Sequence, residues 1–208
     1  MIVKELLKDH ARFDRRSLLE QRTYNIEKLE NFYLYTGDNT QIIAMYYISQ
    51  SKPYIDKPNE GIITFNCIST FRRTDRLNSF LKKIYINSKC IDLEALCIKY
   101  GVEVKNIVIE LRILTNDSEC YESSVNIVNY LLKDLDISVN FVPSCFYFVA
   151  IDNLILRDPI DIEDNDKDWY YLIVKKSRNE YLFIEKAGKE NTLDDIYQIL
   201  EISSDTKE

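Results

Sequence analysis

The stretch from Val104 to Leu114 constrains the fold of this chain more than any other. Ile107, Ile109, Leu111 and Ile113 fall on one side of an extended backbone, and Asn106, Glu110 and Arg112 alternate with them. Successive side chains of a strand point to opposite faces, so this period of two describes a strand with one buried and one wet face. Such a strand needs paired neighbours at its edges and an apolar layer over its inner face. Residues 24–29, 32–36, 40–48, 61–68 and 93–98 read as further strands. Ile42 to Ile48 is too apolar for a solvated edge, and Thr36-Gly37-Asp38-Asn39 is a hairpin turn signal. The covering layer is visible as well. Leu77, Phe80, Leu81, Ile84 and Tyr85 form one apolar stripe on a helix from Thr74 to Asn87, with Thr74 as its N-cap. A second helix, about Glu119 to Lys133, presents Ile127, Val128, Leu131 and Leu132.

The remainder follows the same grammar. Cys145 to Ile151 and Leu154 to Arg157 form a hairpin across Asp152-Asn153, and Trp169 to Lys175 pairs with Tyr181 to Glu185. Thr192-x-x-Asp195 opens a last helix in the manner of a capping box. Ile2, Leu6 and Leu7 mark a short amphipathic helix at the start. Arg12-Phe13-Asp14-Arg15-Arg16 reads as a charged, extended segment, and Ser51 to Asn59, with Pro53 and Pro58, as a loop. Blocks of strands separated by single helices give an α+β class, mixed sheets packed with helices. With 208 residues the expectation is a single domain, 1–208, with an N-terminal half at about 12–133 and a C-terminal half at about 138–202.

Composition narrows the function. At 46% hydrophobic, with four Gly and four Pro, the chain is neither disordered nor fibrous. It shows no signal-peptide core and no apolar run of the ~18–20 residues a membrane helix needs, so a soluble intracellular protein is expected. A net charge of −7 argues against a free-standing nucleic-acid binder. The cysteines (Cys67, Cys90, Cys97, Cys120, Cys145) contain no C-x-x-C pair and read as reduced thiols, with Cys97 and Cys145 in core strands. His10 is the single histidine. Zinc sites, catalytic triads and histidine acid–base chemistry therefore have poor material, and no cofactor is expected.

Four blocks, in order, resemble one family. They are Arg12-Phe13-Asp14-Arg15-Arg16 near the N-terminus, Glu60 to Asn66, Asn87 to Ile98 followed by Gly101 and Val104–Leu114, and Pro143-Ser144-Cys145-Phe146-Tyr147-Phe148. Together they resemble the RNase PH-like ring subunits of the RNA exosome over roughly Arg12 to Gly188. The resemblance implies an RNase PH-like domain built of ribosomal protein S5 domain 2-like βαβ units. It also implies a structural role in a barrel that threads single-stranded RNA for 3′–5′ processing and decay, including ribosomal RNA maturation. The partners it implies are ring subunits of the forty-one and forty-six types, S1/KH cap proteins and a processive exoribonuclease. The location it implies is the nucleus and nucleolus, and also the cytoplasm. Arg15 stands where the family's R-x-D-G-R motif has glycine.

Active members of the family perform phosphorolysis and hold inorganic phosphate on a small-residue turn. By resemblance that turn falls at Asp117, Ser118 and Glu119, and it is degenerate, because Glu119 brings a negative charge to the helix N-terminus. A non-catalytic subunit is the expectation; the alternatives are a phosphorolytic exoribonuclease, alone or in a heterodimer, and a stand-alone RNA-binding protein. Five basic residues (Arg72, Arg73, Arg76, Lys82, Lys83) against Asp75 form a local basic cluster. Arg72, Arg73 and Arg76 converge at one helix end and are the RNA-backbone candidates, whereas Lys82 and Lys83 read as a solvated face. Arg12, Arg15 and Arg16 are a second basic group, suited to RNA or to an inter-subunit salt bridge. Tyr46-Tyr47 and Trp169-Tyr170-Tyr171 are candidates for base stacking, strand core or an interface, with the interface favoured for the latter.

Overall fold

The computed structural model describes residues 2–8, 11–71, 73–115, 118–188 and 193–205. His10, Arg72, Asp117 and the Thr192 cap therefore lie outside the described residues. Contacts divide the chain into two compact units. The first comprises Met1–Thr23, Asp117–Glu122 and Ser144–Glu208, and the second Tyr24–Asn116 and Ser123–Pro143.

The second unit is built on the alternating strand. Strands β1 (Asn25–Lys28), β2 (Tyr33–Gly37), β3 (Thr40–Ser51), β4 (Ile62–Ser69), β5 (Cys97–Lys99) and β6 (Glu103–Thr115) form one sheet in the order β1-β2-β3-β6-β4, with β5 also on β6. β6 pairs antiparallel with β3 and parallel with β4. Ile42, Ala44, Cys67, Ile107, Ile109, Leu111 and Ile113 are buried on the inner face, as the period of two requires. Leu77, Phe80 and Leu81 of α2 (Asp75–Lys82) are buried with them, as are Val125, Ile127, Val128 and Leu131 of α3 (Tyr121–Asp134). Helix α2 continues as a π-helical turn, Lys83–Asn87, that keeps Ile84 and Tyr85 buried.

Two local expectations change in this unit. Residues 93–98 are not a strand throughout. The Asp92 carboxylate accepts the Glu94 and Ala95 amides at 3.1 and 3.3 Å and winds Glu94–Leu96 into a 3₁₀ turn, leaving Cys97–Lys99 extended. Thr74 precedes α2 but does not cap it. Its hydroxyl donates to the Cys67 carbonyl at 2.6 Å, while Asn78 Oδ1 accepts the Cys67 amide at 2.8 Å. The two side chains bracket one residue of β4 and so fix where α2 starts.

The first unit holds α1 (Ile2–Lys8) and a four-stranded antiparallel sheet, β10-β9-β7-β8. Its strands are β7 (Ser144–Ile151), β8 (Leu154–Arg157), β9 (Trp169–Ser177) and β10 (Glu180–Gly188), with α4 (Asp161–Asn165) and α5 (Leu193–Asp205) completing it. Asp152 and Asn153 both take positive φ, the twist a two-residue hairpin demands. Trp169 and Tyr171 do not form an interface patch. They pack with Phe146, Phe148, Ile173 and Ile199 in one core, because β9 is a central strand and α5 covers that face.

The N-terminal motif is also a correction. Arg12 to Arg16 is a turn rather than an extended segment, closed by the Arg15 amide on the Arg12 carbonyl at 3.0 Å, with Arg15 at φ 66°. Arg12 is completely buried and makes a bidentate pair with Glu163, at 3.0 and 2.6 Å, while also donating to the carbonyls of Arg157 and Asp158. Arg16 and Arg22 converge on Asp158. The partners proposed in other subunits for Arg12 and Arg16 are thus found within the chain. Helix α4, which shows no periodicity to announce it, exists around this pair: Glu163 also accepts the Ile160 amide at 3.0 Å.

Removing one member of a buried bidentate pair strands the other charge. Arg12→Met is expected to lower stability to urea by about 3–5 kcal/mol, and Arg12→Met/Glu163→Leu by clearly less than the sum of the single changes. Equilibrium unfolding of the four variants of that cycle is the check.

Candidate nucleic-acid interface

Of the basic residues expected to face RNA, Arg73 lies in the link between β4 and α2 and Arg76 in the first turn of α2. Both are exposed, and Arg72 lies outside the described residues. A helix N-terminus carries partial positive charge, so arginines there gain nothing from the helix dipole. Lys82 and Lys83 sit at the other end of α2, exposed, where a cation complements the dipole. One end of this helix therefore has a basic character its own stability does not need. Strand register adds a residue that charge patterning missed. Arg112 of β6 lies opposite Ile68, one position before the end of β4, so it stands at the sheet end from which Arg73 departs. It is exposed and held by Glu110 at 2.6 Å. Alternation along β6 put Arg112 on the wet face, but only the parallel pairing says which end of β4 it meets.

The turn at Ser118 and Glu119, expected by resemblance to be a degenerate phosphate site, belongs to the first unit. Ser118 is buried at φ 83°, and its hydroxyl accepts the Glu119 amide at 2.5 Å. An anion-holding turn works by presenting its N–H groups outward. Here the Glu119 amide is engaged by the neighbouring side chain, and Glu119 itself adds negative charge next to it. Asp117 lies outside the described residues. Among the described residues no cluster of histidine, cysteine or carboxylate side chains is placed to hold a metal ion.

Behind this turn, Glu122 in the first turn of α3 is buried. Its carboxylate accepts the Tyr147 amide at 2.5 Å and the Gln21 side chain at 3.0 Å, and lies 3.9 Å from Arg157. Burial pushes this carboxyl up to about 7, further than the attraction of Arg157 can lower it, and the negative Asp158 adds to the rise. Asp158 goes the other way. Burial raises it, but the Arg22 hydrogen bonds and charge, with Arg16, hold it below the usual carboxylate range.

The class this architecture defines is the RNase PH-like fold of exosome cores. Over 98% of this chain and 92% of the other, it superposes on a subunit of the Archaeoglobus fulgidus exosome with RNA bound to the active site, with a TM-score of 0.83 and 22% identity. In sequence it is similar to exosome complex component RRP45 of Bos taurus, 24% identical over 186 residues, 72% of this chain and 42% of that protein. It is also similar to exosome complex component Rrp42 of Methanothermobacter thermautotrophicus, 29% identical over 140 residues, 59% of this chain and 52% of the relative. The chain spans about half the length of the curated relatives it matches or less, and no family model matches it. Fold and sequence together place it beside the RNase PH-like exosome ring subunits, as the four sequence blocks implied.

A carboxyl that binds its proton more tightly in the folded chain stabilises the fold below its unfolded value of 4.5 and loses that contribution as pH rises through about 7. Glu122→Gln is therefore expected to be relatively more stable than wild type at pH 8 than at pH 5, by up to roughly 3 kcal/mol. Urea unfolding of both proteins between pH 5 and pH 8 measures the difference.

Proposed function

We propose that this chain is a non-catalytic wall subunit of an exosome-type ring, lending positive charge to the path of single-stranded RNA. The observation that carries this reading is the pairing of an RNase PH-like fold with a phosphate turn occupied by its own side chain, Ser118 on the Glu119 amide. A turn closed in this way has lost a donor for inorganic phosphate, and the like charge of Glu119 costs about 1–4 kcal/mol against an anion within ~4 Å. The ring partners in this reading are other RNase PH-like subunits, of the forty-one and forty-six types, with S1/KH cap proteins and a processive exoribonuclease completing the assembly. The proposed location is the nucleus and nucleolus, with a cytoplasmic pool.

Exposed apolar surface supports a subunit role. On the outer face of the larger sheet, Tyr47 of β3 and Ile68 of β4 are 55% and 40% exposed. Strand β4 pairs on one side only, which leaves an edge available for docking. Obligate interfaces commonly bury about 2,000 Å² or more of such surface.

Three experiments test the reading. Co-expression with ring subunits is expected to yield a stable hetero-oligomer by light scattering where the chain alone self-associates; a well-behaved monomer with no gain from any ring partner refutes it. In the reconstituted assembly, Arg73→Glu/Arg76→Glu is expected to weaken RNA protection and flatten its salt dependence by a slope of about 0.7 per lost phosphate contact, with assembly intact. Lys82→Glu/Lys83→Glu is expected to do little. Release of nucleoside diphosphates from RNA by the purified chain with inorganic phosphate is expected to stay at the buffer control; release above it restores the enzyme.

A further inference from the structure

We propose that a cavity beside α3 in the second unit is a binding site for a nucleobase. Its volume, about 710 Å³, is within the usual range for small-molecule sites. Two of its walls are aromatic and already fixed in place. Tyr24 stacks on Tyr35 with centroids 5.1 Å apart and planes at 19°. Tyr130 meets Tyr33 edge-on at 6.0 Å, and the Tyr33 hydroxyl is anchored on Asp134 at 2.6 Å. A flat ligand would find these rings preset and would spend little ordering them.

The polar groups come from one face of α3, where Asn126, Asn129, Tyr130 and Lys133 follow the i, i+3, i+4, i+7 spacing and line the cavity together. Asn129 is already committed: Oδ1 accepts the Tyr85 hydroxyl at 2.7 Å, and Nδ2 donates to the Pro143 carbonyl at 2.9 Å. The side-chain amide of Asn126, one turn earlier and half-buried, has no hydrogen-bond partner among the described residues. A primary amide offers a donor and an acceptor side by side, the pattern that matches the edge of a base. The amide atoms are not sealed from water, so a ligand carrying the complementary pair takes the place of solvent there. At the rim, Lys133 makes no ion pair with a described residue and suits a phosphate, and Asp136 suits a ribose hydroxyl. The site binds rather than reacts. Cys90 lines it, but its thiol is buried, donates to the Phe141 carbonyl at 3.1 Å, and is pushed up to about 12 by that burial.

The base can belong to a free mononucleotide or to single-stranded RNA, and the inference does not rest on membership of an exosome ring. The test uses the full chain in whatever assembly it purifies, with equilibrium dialysis of the four nucleoside monophosphates and of a short single-stranded RNA. Saturable binding is expected, competed by nucleosides but not by ribose 5-phosphate. Asn126→Leu and Tyr130→Ala should each weaken it about tenfold with thermal midpoints near wild type. If Tyr130→Ala fails to fold, Asn126→Leu alone decides. Parallel losses for mononucleotide and RNA assign the base to RNA; a loss confined to mononucleotides assigns it to a free nucleotide. No saturable binding at millimolar concentration, equal competition by ribose 5-phosphate, or wild-type affinity in Asn126→Leu overturns the proposal.

Discussion

The first unit is organised around one buried ion pair. Arg12 and Glu163 are 151 positions apart, and their side chains are essentially without solvent contact. Taking both charges out of water is expensive, so the pair persists only because its geometry is complete. Two parallel hydrogen bonds join guanidinium to carboxylate, and the remaining donors of Arg12 go to the carbonyls of Arg157 and Asp158. The consequences spread outward. Closing a loop of that length costs only logarithmically more than closing a short one, so a few strong contacts suffice to hold the N-terminal segment with residues 144–208. Helix α4 has five residues, too few to persist by helix propensity, and it is set by the same Glu163 that receives Arg12.

Arg15 shows how the motif survives a substitution. A left-handed conformation favours glycine, which the family's R-x-D-G-R pattern supplies at this point. Arg15 adopts it anyway, at a cost of about 1–2 kcal/mol. The turn must be left-handed there because Arg12 and Arg16, on either side, are both directed at the corner formed by Arg157 and Asp158. In this chain the segment delivers two guanidiniums to one place. The basic residues at 12 and 16 are scaffold, and the RNA candidates are elsewhere.

This also marks where sequence reading succeeds and where it stops. The alternation in β6 and the stripe on α2 report burial directly, because a period of two or of 3.6 places the same residues against the same layer. The sheets and the helices covering them were legible for that reason. Charge carries no such signature. Arg12 in a dry core and Arg73 on the surface look alike in sequence, and only the 151-residue contact separates them. At Ser118 and Glu119 the residue types carry the added charge but not the closed geometry, since neither the φ of Ser118 nor the Glu119 amide's partner is written in residue type. Arg112 needed the parallel register with β4. The cavity on α3 draws on Tyr24, Tyr85 and Phe141 as well as the helix, so no local window contains it. Residue 74 illustrates a different failure: threonine before a helix signals a cap, yet its hydroxyl found a better acceptor in the Cys67 carbonyl.

In the proposed role, an acidic chain beside an RNA path is not a contradiction once the range of the charges is considered. Net charge sets the distant field, but at physiological salt a phosphate responds to charges within about 8 Å. Several acidic residues are internally neutralised: Glu163 by Arg12, Asp158 by Arg16 and Arg22, and Glu110 by Arg112. The sign felt by RNA is then decided by whichever groups stand uncompensated where it passes. At the start of α2 the exposed Arg73 and Arg76 stand with Asp75 at a helix end that has no side-chain cap. At the Ser118 turn the sign is reversed, because Glu119 brings a carboxylate to the N-terminal side of α3. In the proposed role the chain therefore attracts a passing backbone and repels a seated phosphate, as a wall subunit rather than a catalyst would.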